Sequence, residues 1–431
     1  MPNAEPCRLP ATTLVRRIEN GELTAESVVG SCLERIAARE PVVRAWSHLA
    51  GEAALAAARA RDRAGRSSLL NGVPFGLKDI FDTADQPTGY GSPIYWGARP
   101  AADAAAAALP RAAGGILIGK TVTTEFANRH PGPTMNPHDP GFSPGGSSSG
   151  SAAAVADFHV PLAIGTQTGG SVIRPAAYCG VVGFKPSFGL FPVAGMRINT
   201  ESLDTVGIMA RSVGDVALFR AAMLAIPYEA PAMPGGAPRL ALCRGPHWEE
   251  AQPEGRQVLE AASRRLAAAG ARIVDAELPS ECAAADAVQQ RLSAFEAPRV
   301  HMPELYRHEA LLSPALRDGK IAAGRRLAHD DFRRACEEAE RMRQAAQAWA
   351  LDFDAILTLP APGQAPRGLG DTGSALFNAA WTLFYLPCLT LPAGQGPDGL
   401  PVGIQLVGRR HADDRLIDTA LWVERHLGEW R

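Results

Sequence analysis

Long apolar runs are missing from this chain. No stretch of about 18 uncharged apolar residues occurs, so no membrane-spanning helix is expected. Paired cysteines are missing too. Seven are scattered at positions 7, 32, 179, 243, 282, 336 and 388, with no C-x-x-C among them. That argues against a disulfide framework or a structural zinc site and for a reducing compartment. The N-terminal "MPNAEPCRLPATTLVRR" lacks the basic-then-apolar layout of a secretory signal, so a cytoplasmic location is expected. An excess of positive charge is absent: the formal net charge is −2. A protein that binds nucleic acid by releasing counterions needs clustered Lys and Arg, so neither nucleic acid nor membrane is expected as a partner. The sequence has no repeat of fixed period and no linker long enough to separate domains. It leaves the oligomeric state open, with a homodimer among the options.

What is present alternates. "ATTLVRRIENGEL" and "TAESVVGSCLERIAARE" read as helices, the second capped by Thr24 and followed by Pro41 just past its end. "GEAALAAARARDRAG" is a third helix. From "GVPFGLKDIFDT" onward, apolar Gly- and Pro-punctuated strands ("ILIGK", "VPLAIGTQT", "VVGFKPS", "RLALC", "ARIVDAEL", "DAILTLPAP", "CLTLPAG", "PVGIQLVG") alternate with helices such as "SGSAAAVADF" and "DVALFRAAML". Such alternation implies an α/β fold, a sheet sandwiched between helices. A long helical stretch rich in Arg and Glu, at about 283–350, is the candidate for an inserted cap.

"GGILIGKT" (Gly114–Thr121) fits the phosphate-loop pattern but not its physics. A phosphate loop follows a strand and has a flexible interior of small residues. Here an Ala-rich helix precedes it and the interior is Ile116-Leu117-Ile118. It reads as a core strand ending in a surface lysine.

Three other segments carry chemistry. In "GTQTGGSVIRPAAYCG" (165–180), Gly169 and Gly170 precede Ser171. Glycines let backbone N–H groups approach a reacting atom, so Thr168, Gly169, Gly170 and Ser171 form a candidate oxyanion hole. "SPGGSSSGSAAAVA" (143–156) runs from a Gly/Ser loop straight into strong helix formers, which a flexible linker would not do. Lys78 lies inside the apolar "PFGLKDI", where a charged amine is costly to bury. No G-x-S-x-G elbow surrounds Ser171, and His130 and His138 lie in Pro-rich sequence, which favours surface histidines over a Ser-His-Asp triad.

These three segments together resemble the amidase signature family, and within it the small malonamidase-like enzymes. The resemblance extends over most of the chain and is weakest across 225–350. It implies one domain over 1–431, with a mixed central sheet covered by helices on both faces. It implies that Ser171 is the nucleophile, Ser147 the bridging serine on a cis peptide, and Lys78 the terminal base, with no metal or organic cofactor. Lys78 must then be neutral, so its usual pKa near 10.4 must fall by roughly three through desolvation. Asp79 would oppose that only if it shared a face with Lys78, and adjacent strand residues do not.

The sequence departs from the family in two places. Arginine stands three residues after the nucleophile (Arg174) instead of two, and Gln167 replaces a usual Asp. Pro175 suits the first position of a helix "PAAYC". Arg174 is expected to bind a substrate carboxylate, or else to pair internally with Asp204. The implied reaction is hydrolysis of a small, carboxylate-bearing amide such as malonamate to acid and ammonia. The alternatives are a biuret-type ureido-amide hydrolase and the A subunit of a glutamine-dependent tRNA amidotransferase.

Overall fold

The computed structural model describes residues 5–65 and 68–428. Positions 1–4, 66–67 and 429–431 of the expected domain lie outside the described residues. Among the described residues eleven strands form one sheet. Six come from the first half: β1 Trp46–Leu49, β2 Pro74–Lys78, β3 Ile116–Thr121, β4 Leu162–Gln167, β5 Val182–Lys185 and β6 Thr205–Ala210. Five follow: β7 Arg239–Leu242, β8 Arg272–Asp275, β9 Ala355–Thr358, β10 Cys388–Gln395 and β11 Pro401–Val407. The order is β1-β3-β2-β4-β6-β5-β10-β11-β9-β7-β8. The sheet is mixed: β2 is parallel to both β3 and β4, whereas β4 and β6 are antiparallel.

The central strands are buried on both faces, which is why they read as continuous apolar runs. Along β4, Leu162 and Ile164 enter one core and Ala163 the other. The first core is closed by Val216, Leu259 and Leu416 from the helices Val213–Leu224, Pro253–Ala268 and Asp413–Leu427. In the second, Ala152 to Val155 of the helix Ser149–Ala156 pack with Ala163 and Met209.

Several local expectations change. The second helix runs Ala25–Val43, straight through Pro41. Pro41 sits in its last turn, and the chain leaves through Arg44 in the left-handed region while the Glu40 carboxylate accepts the N–H groups of Ala45 and Trp46. Lys120 is not a surface residue. β3 lies between β1 and β2, and Lys120 is fully buried. Its ammonium donates to Phe81 O and Thr88 Oγ1 and pairs with Asp79 at 3.2 Å. The 283–350 region is a broken run: helices Ala285–Val300, Met302–His308, Ala322–Arg325 and His329–Ala350, with a π-helical segment Ala315–Ile321. No helix among the described residues is long and apolar enough to cross a membrane.

Candidate active site

β2 and β4 are parallel neighbours, so their C-terminal ends open on the same edge of the sheet. Lys78 is the last residue of β2, and Ser171 lies in the turn that follows β4. Open α/β sheets place ligands at such strand ends. The Gly/Ser loop reaches the same place from the side, because the helix it enters is buried along its whole length. Only small residues allow that. A Cβ on Gly150 would collide with the Ala45 carbonyl oxygen and the Val122 nitrogen. Gly145, at φ +78°, would put a Cβ 2.8 Å from Pro175 Cα.

The serines of this segment have separate tasks. Ser143 donates to Asp371 O, Ser148 to Thr166 O, Ser149 to Val122 O and Ser151 to Ile164 O. Ser147 is different. It follows a cis Gly146–Ser147 peptide, and its Oγ lies 2.7 Å from Lys78 Nζ. Lys78 also donates to Thr166 Oγ1 at 2.7 Å. The amine is completely buried, its partners among the described residues are both hydroxyls, and burial lowers its pKa to about 7, against a smaller opposing pull from Asp204. Asp79 faces Lys120, away from Lys78, as the alternation of strand side chains requires.

Ser171 is largely buried, and among the described residues its hydroxyl has no hydrogen-bond partner. The turn before it is held by its carbonyls. Gln289 Nε2 donates to Thr168 O, Thr382 Oγ1 to Gly169 O, and the Arg174 N–H to Gly170 O. In a trans peptide the N–H points opposite to the C=O. The N–H groups of Gly169, Gly170 and Ser171 therefore face away from these anchors. Among the described residues, no hydrogen bond is donated by the N–H groups of residues 168 to 171.

Gln167 fills the place of the usual Asp. Its Oε1 accepts the N–H groups of Val172 and Ile173, and its Nε2 donates to Thr382. The following helix begins at Ile173, and Pro175 is its third residue, not its first. No hydrogen bond is lost by this, because the first four N–H groups of a helix have no intrahelical acceptor. Arg174 does not pair with Asp204. Its guanidinium donates to Gly146 O at 2.7 Å and to Thr372 Oγ1 at 3.2 Å. Asp204 instead accepts from Thr168 Oγ1 at 2.5 Å and from the N–H groups of Asn199 and Thr200. His130 and His138 are both exposed.

Gln289, Asn199, Thr382 and Lys320 reach the site from segments without a motif, and nothing in their local sequence marks them. Thr166 alone carries a clue, standing in β4 just before the glycine turn, on a strand that pairs with β2.

Known proteins resemble the chain over most of its length. The family model Amidase matches residues 27–417. The chain is 32% identical to 2-amino-5-chloromuconic acid deaminase of Comamonas testosteroni, over 96% of this chain and 95% of that protein. It is 33% identical to the A subunit of Glutamyl-tRNA(Gln) amidotransferase of Mycobacterium bovis (strain BCG / Pasteur 1173P2), over 98% of each. Among solved structures, peptide amidase from Stenotrophomonas maltophilia superposes with a TM-score of 0.83 at 30% identity, covering 98% of both chains. The chain belongs to the amidase signature family. It is an enzyme that hydrolyses amides.

Proposed function

We propose that the chain cleaves a small amide through an acyl-enzyme on Ser171, with Ser147 relaying protons to and from Lys78. The observation that carries this reading is the 2.7 Å approach of Ser147 Oγ to a fully buried amine whose basicity is depressed. Neutral Lys78 accepts the Ser147 proton as Ser147 takes that of Ser171, and Ser171 Oγ attacks the amide carbonyl. The oxyanion is held by the free N–H groups of the Thr168–Ser171 turn. The proton returns through Ser147 to the departing nitrogen, ammonia or an amine leaves, and water hydrolyses the ester by the same relay. Thr166 keeps the amine in place.

The substrate in this proposal is short and carries a carboxylate, as malonamate does. Two features support it: cationic groups gather near the turn, and one relative is a deaminase of 2-amino-5-chloromuconic acid. Arg174 enters as a positioning group for the Gly146–Ser147 loop, since its nearest acceptors are Gly146 O and Thr372 Oγ1. The relationship to an amidotransferase favours a second reading, in which glutamine is the amide and a partner receives the ammonia. A panel of small amides incubated with the purified chain separates the two. Turnover of malonamate by the isolated wild-type chain, with Ser171→Ala lowering it by about a thousandfold or more, is expected. Activity on glutamine alone would favour the second reading, and full activity of Ser171→Ala would move the nucleophile elsewhere.

A further inference from the structure

Several buried and half-buried cations are matched by carboxylates: Arg35 and Arg39 by Asp157, Arg197 by Glu304, Lys120 by Asp79. Lys320, like the fully buried Lys78, Lys185 and Arg174, has no such match among the described residues. It is half-buried on the π-helical segment Ala315–Ile321, and among the described residues no carboxylate lies within ion-pair distance of it. Its ammonium donates to three neutral oxygens: Asn199 Oδ1 at 2.7 Å, and Asn128 Oδ1 and Thr200 Oγ1 at 3.3 Å each. The two longer contacts lie just beyond the usual hydrogen-bond range and are readily exchanged for a better acceptor.

The position of Lys320 ties it to the Ser171 turn. Asn199, its closest partner, donates through Nδ2 to Thr168 Oγ1 at 3.2 Å. Thr168 opens the turn whose N–H groups are free. One asparagine side chain thus separates the ammonium from that turn. Two acids attract Lys320 from a distance, Asp204 and Glu296, and both are committed elsewhere. Asp204 serves Thr168, Asn199 and Thr200, and Glu296 accepts the Ser202 N–H. The segment is packed in place, because Leu316 and Ile321 join Phe126, Ala297 and Leu305 in one apolar cluster. Arg129, next to Asn128, is exposed and makes no hydrogen bond or ion pair among the described residues. Its field reaches both Lys320 and Arg174, disfavouring the charge on each. Positive charge gathers here with no carboxylate in contact among the described residues, and π-helical turns recur at functional sites.

We infer that Lys320, assisted by Arg129, anchors the carboxylate of the amide substrate. The inference rests on the acyl-transfer reading and deepens it by naming the group that selects an acid. A carboxylate arriving at Lys320 replaces the two long contacts with a charge-assisted bond. The short path through Asn199 to Thr168 then places the scissile carbonyl of a small acid at the Ser171 turn.

The test follows the rate at which a fluorophosphonate labels Ser171, with malonate or neutral malonamide as protecting ligand. Wild type, Lys320→Gln, Lys320→Arg and Arg129→Ala are compared. Gln keeps a donor for Asn199 and removes the charge; Arg restores the charge. Malonate is expected to protect the wild type far better than malonamide does. Lys320→Gln should raise the half-protecting malonate concentration by about 30-fold while leaving the unprotected labelling rate within about threefold. Lys320→Arg should recover most of the protection, and Arg129→Ala should lose a smaller part of it. Undiminished malonate protection in Lys320→Gln, or no protection of the wild type, overturns the inference while leaving the nucleophile assignment standing. Failure of the reagent to label Ser171 in the wild type overturns the acyl-transfer reading and this inference with it.

Discussion

Lys78 is the residue on which the proposed chemistry turns. Its side chain is fully buried, its hydrogen-bond partners among the described residues are Ser147 and Thr166, and burial brings its pKa to about 7. An amine so placed is a base near neutral pH, and the same shift has a stability consequence. The folded value lies below the unfolded value near 10.4, so between these limits the unfolded chain binds the extra proton. Stability therefore rises with pH from about 7 to about 10, and the full cost is felt below 7. Replacing Lys78 with Met removes this contribution. The stability of Lys78→Met relative to wild type should be greater at pH 6 than at pH 10, by on the order of 4 kcal/mol. Denaturant unfolding of both proteins at the two pH values measures it. A difference independent of pH contradicts a depressed lysine.

At the scale of elements, the site is two loops pinned to parallel strands. The turn after β4 depends on Gln167, which is fully buried and caps the helix Ile173–Cys179 through Val172 and Ile173 while holding Thr382. Thr382 in turn fixes the Gly169 carbonyl. Gln167→Leu nearly keeps the volume and leaves two buried N–H groups without an acceptor. A loss of about 3 kcal/mol in denaturant unfolding, with a fall in turnover, is expected. A loss below about 1 kcal/mol would show that the cap is dispensable. The Gly/Ser loop is legible in the sequence because its glycines and serines are local requirements: small residues where a helix is buried all round, and hydroxyls that donate to nearby strand carbonyls. The start of the helix after Ser171 is not legible, because Pro175 looks like a first residue until Gln167 is seen to cap two residues earlier.

For the whole molecule, the alternation of apolar strands and helices announces the layered fold, and most strands lie where their Gly and Pro boundaries put them. β1 and β6 have no such signature. β1 is four residues long between two helices, and β6 carries a glycine in a run that also reads as loop. Lys120 reads as a surface residue because a strand's own sequence does not say which strands flank it. Lys78 is legible for the opposite reason: its neighbours are apolar enough to declare the burial. Gln289 reaches the Ser171 turn, and Lys320 reaches Asn199 beside it, only once the region 283–350 is folded, so no spacing in the chain foretells them.

The relay from Ser171 through Ser147 to Lys78 is tested most directly by the pH dependence of fluorophosphonate labelling of the full chain, read by intact mass and peptide mapping. A single adduct on Ser171 is expected, formed at a rate that rises with pH around a midpoint near 7, with a rate in Lys78→Ala that is lower by orders of magnitude and lacks this rise. An adduct on another residue, or an identical pH profile in Lys78→Ala, would contradict it.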